Sequence, residues 1–289
     1  MNNYKLDFNV DLKKLCTYGV GGTAKYLYHP KDNSELIDIV KMLTERNIKW
    51  YVIGSGSNLI FPDEDFDGAI IKLDLMDTIK FSGDSVFVSA GVTLGTLINA
   101  MLDKGFVNLA PLMGIPGTLG GAIVGNAGSY GTDIFSNLEE VMFINNNFEL
   151  ISIPSDNIKH GYRYSEFKNY NFIIVGAKIK CIRGNVRDAK KMIQENINKR
   201  VSTQPLEFKN AGSVFKNPEG LSAGALIEEC GMKGFKINDA MVSEKHANFI
   251  VNLKSATSHD ILEVIDCVRN YVKEKKGIDL ELEQIVVKW

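Results

Sequence analysis

What the sequence lacks narrows it first. Its 289 residues contain no run approaching ~18 consecutive apolar side chains, so no membrane-spanning helix is expected. The opening segment MNNYKLDFNVDLKK has no apolar stretch of the kind a secretory signal needs. Cysteine is sparse: Cys16, Cys181, Cys230 and Cys267 stand far apart, with no C-x-x-C pair. That spacing excludes a zinc knuckle and a disulfide framework, and fits reduced thiols in a cytoplasmic protein. His29, His160, His246 and His259 form no metal-binding pattern, so no metal site is expected. Neither sign of charge dominates: 33 Lys and Arg face 35 Asp and Glu, a formal net charge of -2. Such a surface has no overall attraction for nucleic acid or an anionic membrane.

What is present is an ordinary globular composition with one oddity. Hydrophobic residues make up 45% and charged residues 24%, and the length suits roughly two domains of ~100–200 residues. The oddity is glycine. There are 26, and seven of them fall between Gly114 and Gly131, where no residue is charged. Strand-like and helix-like runs alternate along the chain. Asn33 or Ser34 can cap a helix with the stripe Leu36, Ile37, Val40 and Leu43. Strands are expected at 50–53, 69–73, 86–90 and 172–181. Helices are expected from Thr93 to the Gly105 stop and over 187–200. The polar stretch VSTQPLEFKN reads as a domain junction. Beyond it come a short helix capped by Ser222, a strand at 248–253, a long amphipathic helix from Ser258 to the Gly277 stop, and a last strand over 280–287. The class is mixed α and β.

Three glycine-bearing segments could cradle phosphate. Gly19 to Ala24 matches G-x-G-x-x-A by letters, but KKLCTY before it is no convincing strand and Pro30 stops any following helix, against a dinucleotide fold. Gly54-Ser55-Gly56-Ser57-Asn58 directly follows an apolar run. Its small residues let backbone N–H groups approach an anion, or simply form a tight turn. The third segment, Gly114 to Gly131, is uncharged, apolar and small. It suits backbone lying flat against a large planar ligand, or close packing in a buried turn.

In order along the chain, TYGVGGTA, IGSGSN, GIPGTLGGAIVGNAGSYG, GYRYSEF, AGSVFKNP, HANFIVN and LELE resemble the UDP-N-acetylenolpyruvoylglucosamine reductase family. The resemblance implies a cytoplasmic flavoenzyme of peptidoglycan precursor synthesis, and so of cell-wall biogenesis, cell shape and division. It implies an α+β architecture: a two-lobed FAD-binding fold of the vanillyl-alcohol-oxidase/p-cresol-methylhydroxylase type, plus a smaller C-terminal α+β substrate domain. The FAD portion would span 1–200, with subdomains of about 1–73 and 74–200. The substrate portion would span 201–289, and its last strand is a candidate to return to the FAD portion. FAD would be bound non-covalently, with NADPH as co-substrate and a sugar nucleotide as the small-molecule substrate. On this likeness Gly54, Ser55, Gly56, Ser57 and Asn58 hold the pyrophosphate. Ile115, Pro116, Gly117, Gly120, Gly121, Asn126 and Gly128 line the pyrophosphate and flavin ring.

The implied reaction passes a hydride from NADPH to FAD, and from flavin N5 to the enolpyruvyl group. Negative charge then builds on the substrate carboxylate and adjacent carbon, which calls for a cation and a proton donor. Arg163 matches the family's catalytic arginine, Ser213 its proton-donating serine and Glu283 its glutamate. Glu281 is the fallback, since the two would share a strand face. Lys216 and Asn217 are candidates for the diphosphate or sugar. The chain departs from the family where the glutamate is usually followed by Val-Arg, because Gln284-Ile285 stands there. It departs again at Asn238-Asp239-Ala240, and it lacks the tyrosine-bearing insertion of the longer subtype. The alternative is another non-covalent FAD-dependent sugar or alcohol oxidoreductase of the same superfamily. With no histidine between His29 and His160, a covalent flavin tether near the pyrophosphate loop is not expected.

Overall fold

A computed structural model describes residues 4–289. The chain packs as two compact units. The first comprises the described residues up to Phe8, Tyr26–Ser55 and Asp67–Asn198. The second comprises Asn9–Lys25, Gly56–Phe66 and Lys199–Trp289. Among the described residues no helix is long and apolar enough to cross a membrane.

The first unit is built around a five-stranded antiparallel sheet. Its order is Leu150–Pro154, Leu138–Ile144, Ile173–Lys180, Ser85–Ser89 and Ile79–Ser82. Ile173–Lys180 is almost continuously apolar and buried, as a strand covered on both faces must be. Helix Leu94–Asp103 buries Leu94, Leu97, Ile98, Met101 and Leu102, one stripe at helical spacing. The Thr93 hydroxyl caps it by accepting from Thr96 N–H. Helix Asn33–Glu45 is capped by Asp32, one residue before the expected cap, because the Asp32 carboxylate accepts Glu35 N–H at 2.8 Å. Its buried stripe takes Ile39 in place of Ile37. Trp50–Ile53 pairs in parallel with residues 69–72. The hairpin that contributes Ile79–Ser82 was not foreseen; Gly83, at φ 58°, makes its turn possible.

The second unit holds a three-stranded antiparallel sheet, Lys236–Ile237, Ala240–Val242 and Ile250–Asn252. Helix Ser258–Lys276 packs with it through Ile261, Val264, Ile265, Val268 and Val272. Thr257 and Asp260 form a reciprocal capping box at its start, and Gly277 at φ 70° ends it. The expected continuous strand over 280–287 is broken up. Leu282 bridges Phe215, and only Ile285–Val286 forms a strand, parallel to Leu59–Ile60. The Gly19–Gly22 segment leads into strand Thr23–Tyr28 rather than a helix, so the dinucleotide reading fails on topology. A Cβ at Gly22 would lie 2.6 Å from the carbonyl oxygens of Asp63 and Glu64, so this glycine serves close packing.

Candidate functional site

Each unit gathers its own set of expected residues. In the first, the long glycine segment begins beside helix Leu94–Asp103, where Leu94 N–H donates to Gly117 O at 3.0 Å. Thr118 then caps helix Leu119–Gly125, its hydroxyl accepting Gly121 N–H. Gly120 N–H donates to Ala90 O at 2.9 Å, and a Cβ there would sit 3.0 Å from the Ala90 side chain. The helix therefore lies tight on the end of the Ser85–Ser89 strand. Gly54 meets the same Thr118: a Cβ at Gly54 would collide with the Thr118 hydroxyl. One side chain thus joins Gly54 to the Gly114–Gly131 segment.

Other residues of the segment are more accessible. Gly114, Pro116 and Gly121 are exposed, and a Cβ at Gly125 or Gly131 would meet nothing within 4 Å. The segment is therefore not simply a tightly packed turn. It combines packed glycines with an uncharged, partly exposed stretch, and that combination fits a flat polar cofactor. Ile115 and Gly128 are half-buried beside it.

Asn126 closes the helix in the left-handed region, at φ 43°. Its side-chain amide donates to Gly161 O at 2.8 Å and to Asp133, and its oxygen accepts Phe135 N–H. Those bonds tie the glycine segment to the small hairpin His160–Gly161 and Tyr164–Ser165. Arg163 sits in that hairpin's turn at φ 53°, a strained backbone for a residue with a Cβ. The guanidinium donates to Gly128 O at 2.8 Å and lies over the Tyr162 ring, 5.2 Å from its centroid. Gly128 has to be small here, since a Cβ would lie 2.9 Å from the Thr132 carbonyl oxygen and 3.0 Å from the Asp133 Cβ, with the guanidinium next at 3.2 Å. The structure thus brings Asn126, Gly128 and Arg163 together, and holds the arginine half-buried.

The second unit receives Ser213, Glu283, Lys216, Asn217, Gly56, Ser57 and Asn58. Gly56 adopts φ 65° and packs against the backbone of Leu15 and Cys16. Asn58 donates from its side chain to Glu283 O at 3.2 Å, and Asn58 O accepts Ile285 N–H at 2.9 Å. Glu283 N–H in turn donates to Val214 O at 2.8 Å, so Glu283 lies across from the residue after Ser213. Asn248 pins the same segment: its amide exchanges both hydrogen bonds with the Phe215 backbone, and its carbonyl accepts Val214 N–H. Asn248 is 4% exposed, and fully bonded buried amides of this kind fix a backbone firmly.

The two candidate glutamates differ. Glu281 is exposed, and its carboxylate is ion-paired with Lys216 Nζ at 2.5 Å. Glu283 is half-buried, beside Asn58 and Val214. Asn217 is exposed and accepts Ala223 N–H at the start of helix Ala223–Glu229, so part of its bonding capacity is structural. Sequence reading named Gln284 only as a departure from the family pattern and did not single out Thr118, Tyr18 or Asn248. Only Asn248 carried a signal, as a polar residue inside the apolar run HANFIVN.

Comparison with known proteins gives concordant findings. Residues 204–287 match the family model of the UDP-N-acetylenolpyruvoylglucosamine reductase C-terminal domain, and residues 24–153 match the FAD binding domain model. The chain is 36% identical to the UDP-N-acetylenolpyruvoylglucosamine reductase of Caldanaerobacter subterraneus, over 98% of this chain and 94% of the relative. It is 41% identical to the enzyme of that name from Carboxydothermus hydrogenoformans, over 95% and 91% respectively. Among solved structures, UDP-N-acetylenolpyruvylglucosamine reductase from Thermus caldophilus superposes with a TM-score of 0.84 at 32% identity, covering 99% of each chain. The 6-hydroxy-D-nicotine oxidase of Arthrobacter nicotinovorans shares the fold alone, with a TM-score of 0.50, 14% identity, and coverage of 63% of this chain and 42% of that one. The expected class stands: an α+β chain with an FAD-binding fold followed by a C-terminal α+β portion.

Proposed function

Because the chain belongs to the UDP-N-acetylenolpyruvoylglucosamine reductase family, we propose that it is an FAD-dependent reductase that converts the enolpyruvyl ether of UDP-N-acetylglucosamine to UDP-N-acetylmuramate. The observation that carries this reading is 36% identity sustained over 98% of the chain. The place in the cell follows from it: cytoplasmic peptidoglycan precursor synthesis. FAD fits the residues present, since the uncharged backbone of 114–132 is partly open and the Gly54–Asn58 loop offers backbone N–H groups and hydroxyls. We assign FAD to the portion before residue 200 and the sugar nucleotide chiefly to the portion after it.

What FAD supplies when bound is hydride transfer, in from NADPH and out to the enolpyruvyl double bond. Hydride addition at the substrate's methylene carbon would push the π pair onto the adjoining carbon and its carboxylate. Arg163 answers that charge with a planar, permanently charged fork suited to a carboxylate. Its bond to Gly128 O and its stacking on Tyr162 set its direction before substrate arrives. Ser213 delivers its hydroxyl proton to the adjoining carbon and recovers one from water. Glu283 stands across from Val214, where it supports the charge balance of that step. Lys216, already paired with Glu281, offers a cation to the diphosphate.

The test is an anaerobic flavin spectrum. Purified protein should be yellow, NADPH should bleach it, and enolpyruvyl-UDP-N-acetylglucosamine should restore the colour. Bleaching of the oxidised flavin by a simple sugar or alcohol, with no recolouring of reduced flavin by the enolpyruvyl nucleotide, would assign the chain to another oxidoreductase of the superfamily.

A further inference from the structure

The backbone that carries Ser213 is held from behind by a buried polar relay. Gln284 is 4% exposed, and its side-chain amide nitrogen donates to Ala211 O at 3.2 Å and Gly212 O at 3.3 Å. Its amide oxygen accepts the Tyr18 hydroxyl at 3.1 Å. Tyr18 is fully buried, and its own carbonyl accepts the Asn252 amide at 2.9 Å. The amide orientation is fixed by chemistry: two carbonyls can only accept, so they require the nitrogen, and the phenol donates to the oxygen. Burial pushes the Tyr18 hydroxyl far above its ordinary range, so it remains a donor at every working pH.

We infer that Gln284, oriented by Tyr18, is a positioning residue for Ser213. Gly212, at φ 76°, stands directly before the serine, in a region where the backbone has freedom to turn. The two carbonyl bonds remove that freedom and set the serine's approach. An apolar side chain at position 284 could not make these bonds. The inference rests on Ser213 being the proton donor.

The test is rapid-mixing kinetics of each half-reaction in the flavin-loaded enzyme, for Gln284→Met and Tyr18→Phe, alone and combined with Ser213→Ala. Methionine keeps the volume and removes the two donors. Tyr18→Phe removes one hydroxyl and frees the amide to flip. Flavin oxidation by the enolpyruvyl nucleotide should slow about 100-fold at saturation in Gln284→Met and about 10-fold in Tyr18→Phe. Reduction by NADPH should stay within about twofold in both. In the Ser213→Ala background neither change should add a further loss, because both act through the serine. Equal slowing of both half-reactions, or losses that add to that of Ser213→Ala, would overturn the positioning role. If Ser213→Ala is damaging but Tyr18→Phe and Gln284→Met are silent, the relay idea alone fails. If Ser213→Ala is itself silent, the proton-donor reading fails and the relay with it. Should Gln284→Met not fold, Tyr18→Phe carries the same comparison.

Discussion

The two sets of candidate residues are built by opposite means. Around Arg163, the first unit works by omission: Gly54, Gly120 and Gly128 leave out side chains so that backbone and one guanidinium can approach closely. Around Ser213, the second unit works by addition. Asn248 and Gln284 are buried polar side chains that bond to the backbone around Ser213, and the buried Tyr18 hydroxyl donates to Gln284. The contrast teaches where each region is vulnerable. The glycine region should fail sterically when atoms are added, and the serine region chemically when donors are removed.

The sharpest test of the comparison is Ser213→Ala. It deletes one oxygen and leaves packing intact, so flavin oxidation by the enolpyruvyl nucleotide should fall by ~10²-fold or more while NADPH still bleaches the flavin. Equal loss in both half-reactions would erase the claim that this region acts chemically. Arg163→Lys comes next. A point charge replaces the fork, and a lost charge-assisted bond of about 1.5–3 kcal/mol corresponds to roughly 10–100-fold in the same half-reaction. Glycine at that position would instead relieve the left-handed backbone, so lysine is the cleaner probe.

Gly54→Val tests the opposite failure mode. Its side chain collides with Thr118, and overpacking of this kind costs about 1–3 kcal/mol, read as a lowered melting temperature and flavin content. Unchanged flavin content would mean the loop has room that the packing denies. The smallest effect belongs to Asp260, remote from both sets. Burial opposes its charge, but donors from the Thr257 backbone and the Asn238 amide outweigh it and hold its carboxyl below the usual range. Its stabilisation is therefore present above the ordinary carboxylate pKa of about 4 and is lost as pH falls through the depressed value. Asp260→Asn should cost about 1 kcal/mol near neutrality, and the gap to the parent should close in acid.

Much of the fold was legible because its signals are local. The stripe of Leu94, Leu97, Ile98, Met101 and Leu102 has helical spacing, and the run from Ile173 to Lys180 has no competing reading. Hidden features were those set by distant partners. The stretch over 280–287 has strand composition throughout, yet Phe215 pairs with one part of it and Leu59–Ile60 with another, so it breaks between them. Asn238 and Asp239, a departure from the family pattern, look like substrate-site changes in sequence. In the fold Asn238 braces Asp260, and Asp239 accepts from Ser255. Glu283 was favoured over Glu281 by spacing alone, and the two differ in the fold: Glu281 is exposed and paired with Lys216, while Glu283 is half-buried beside Asn58. Gln284 read as a lost valine until Tyr18, 266 positions away, supplied its partner.

Thr118 has a consequence for how this sequence can drift. A single oxygen both caps helix Leu119–Gly125 and fills the space above Gly54. Removing it would make room for a larger residue at 54 but uncap the helix; keeping it forbids that residue. Positions 54 and 118 are therefore coupled: a larger residue at 54 meets the Thr118 oxygen, and losing that oxygen leaves Gly121 N–H without its cap.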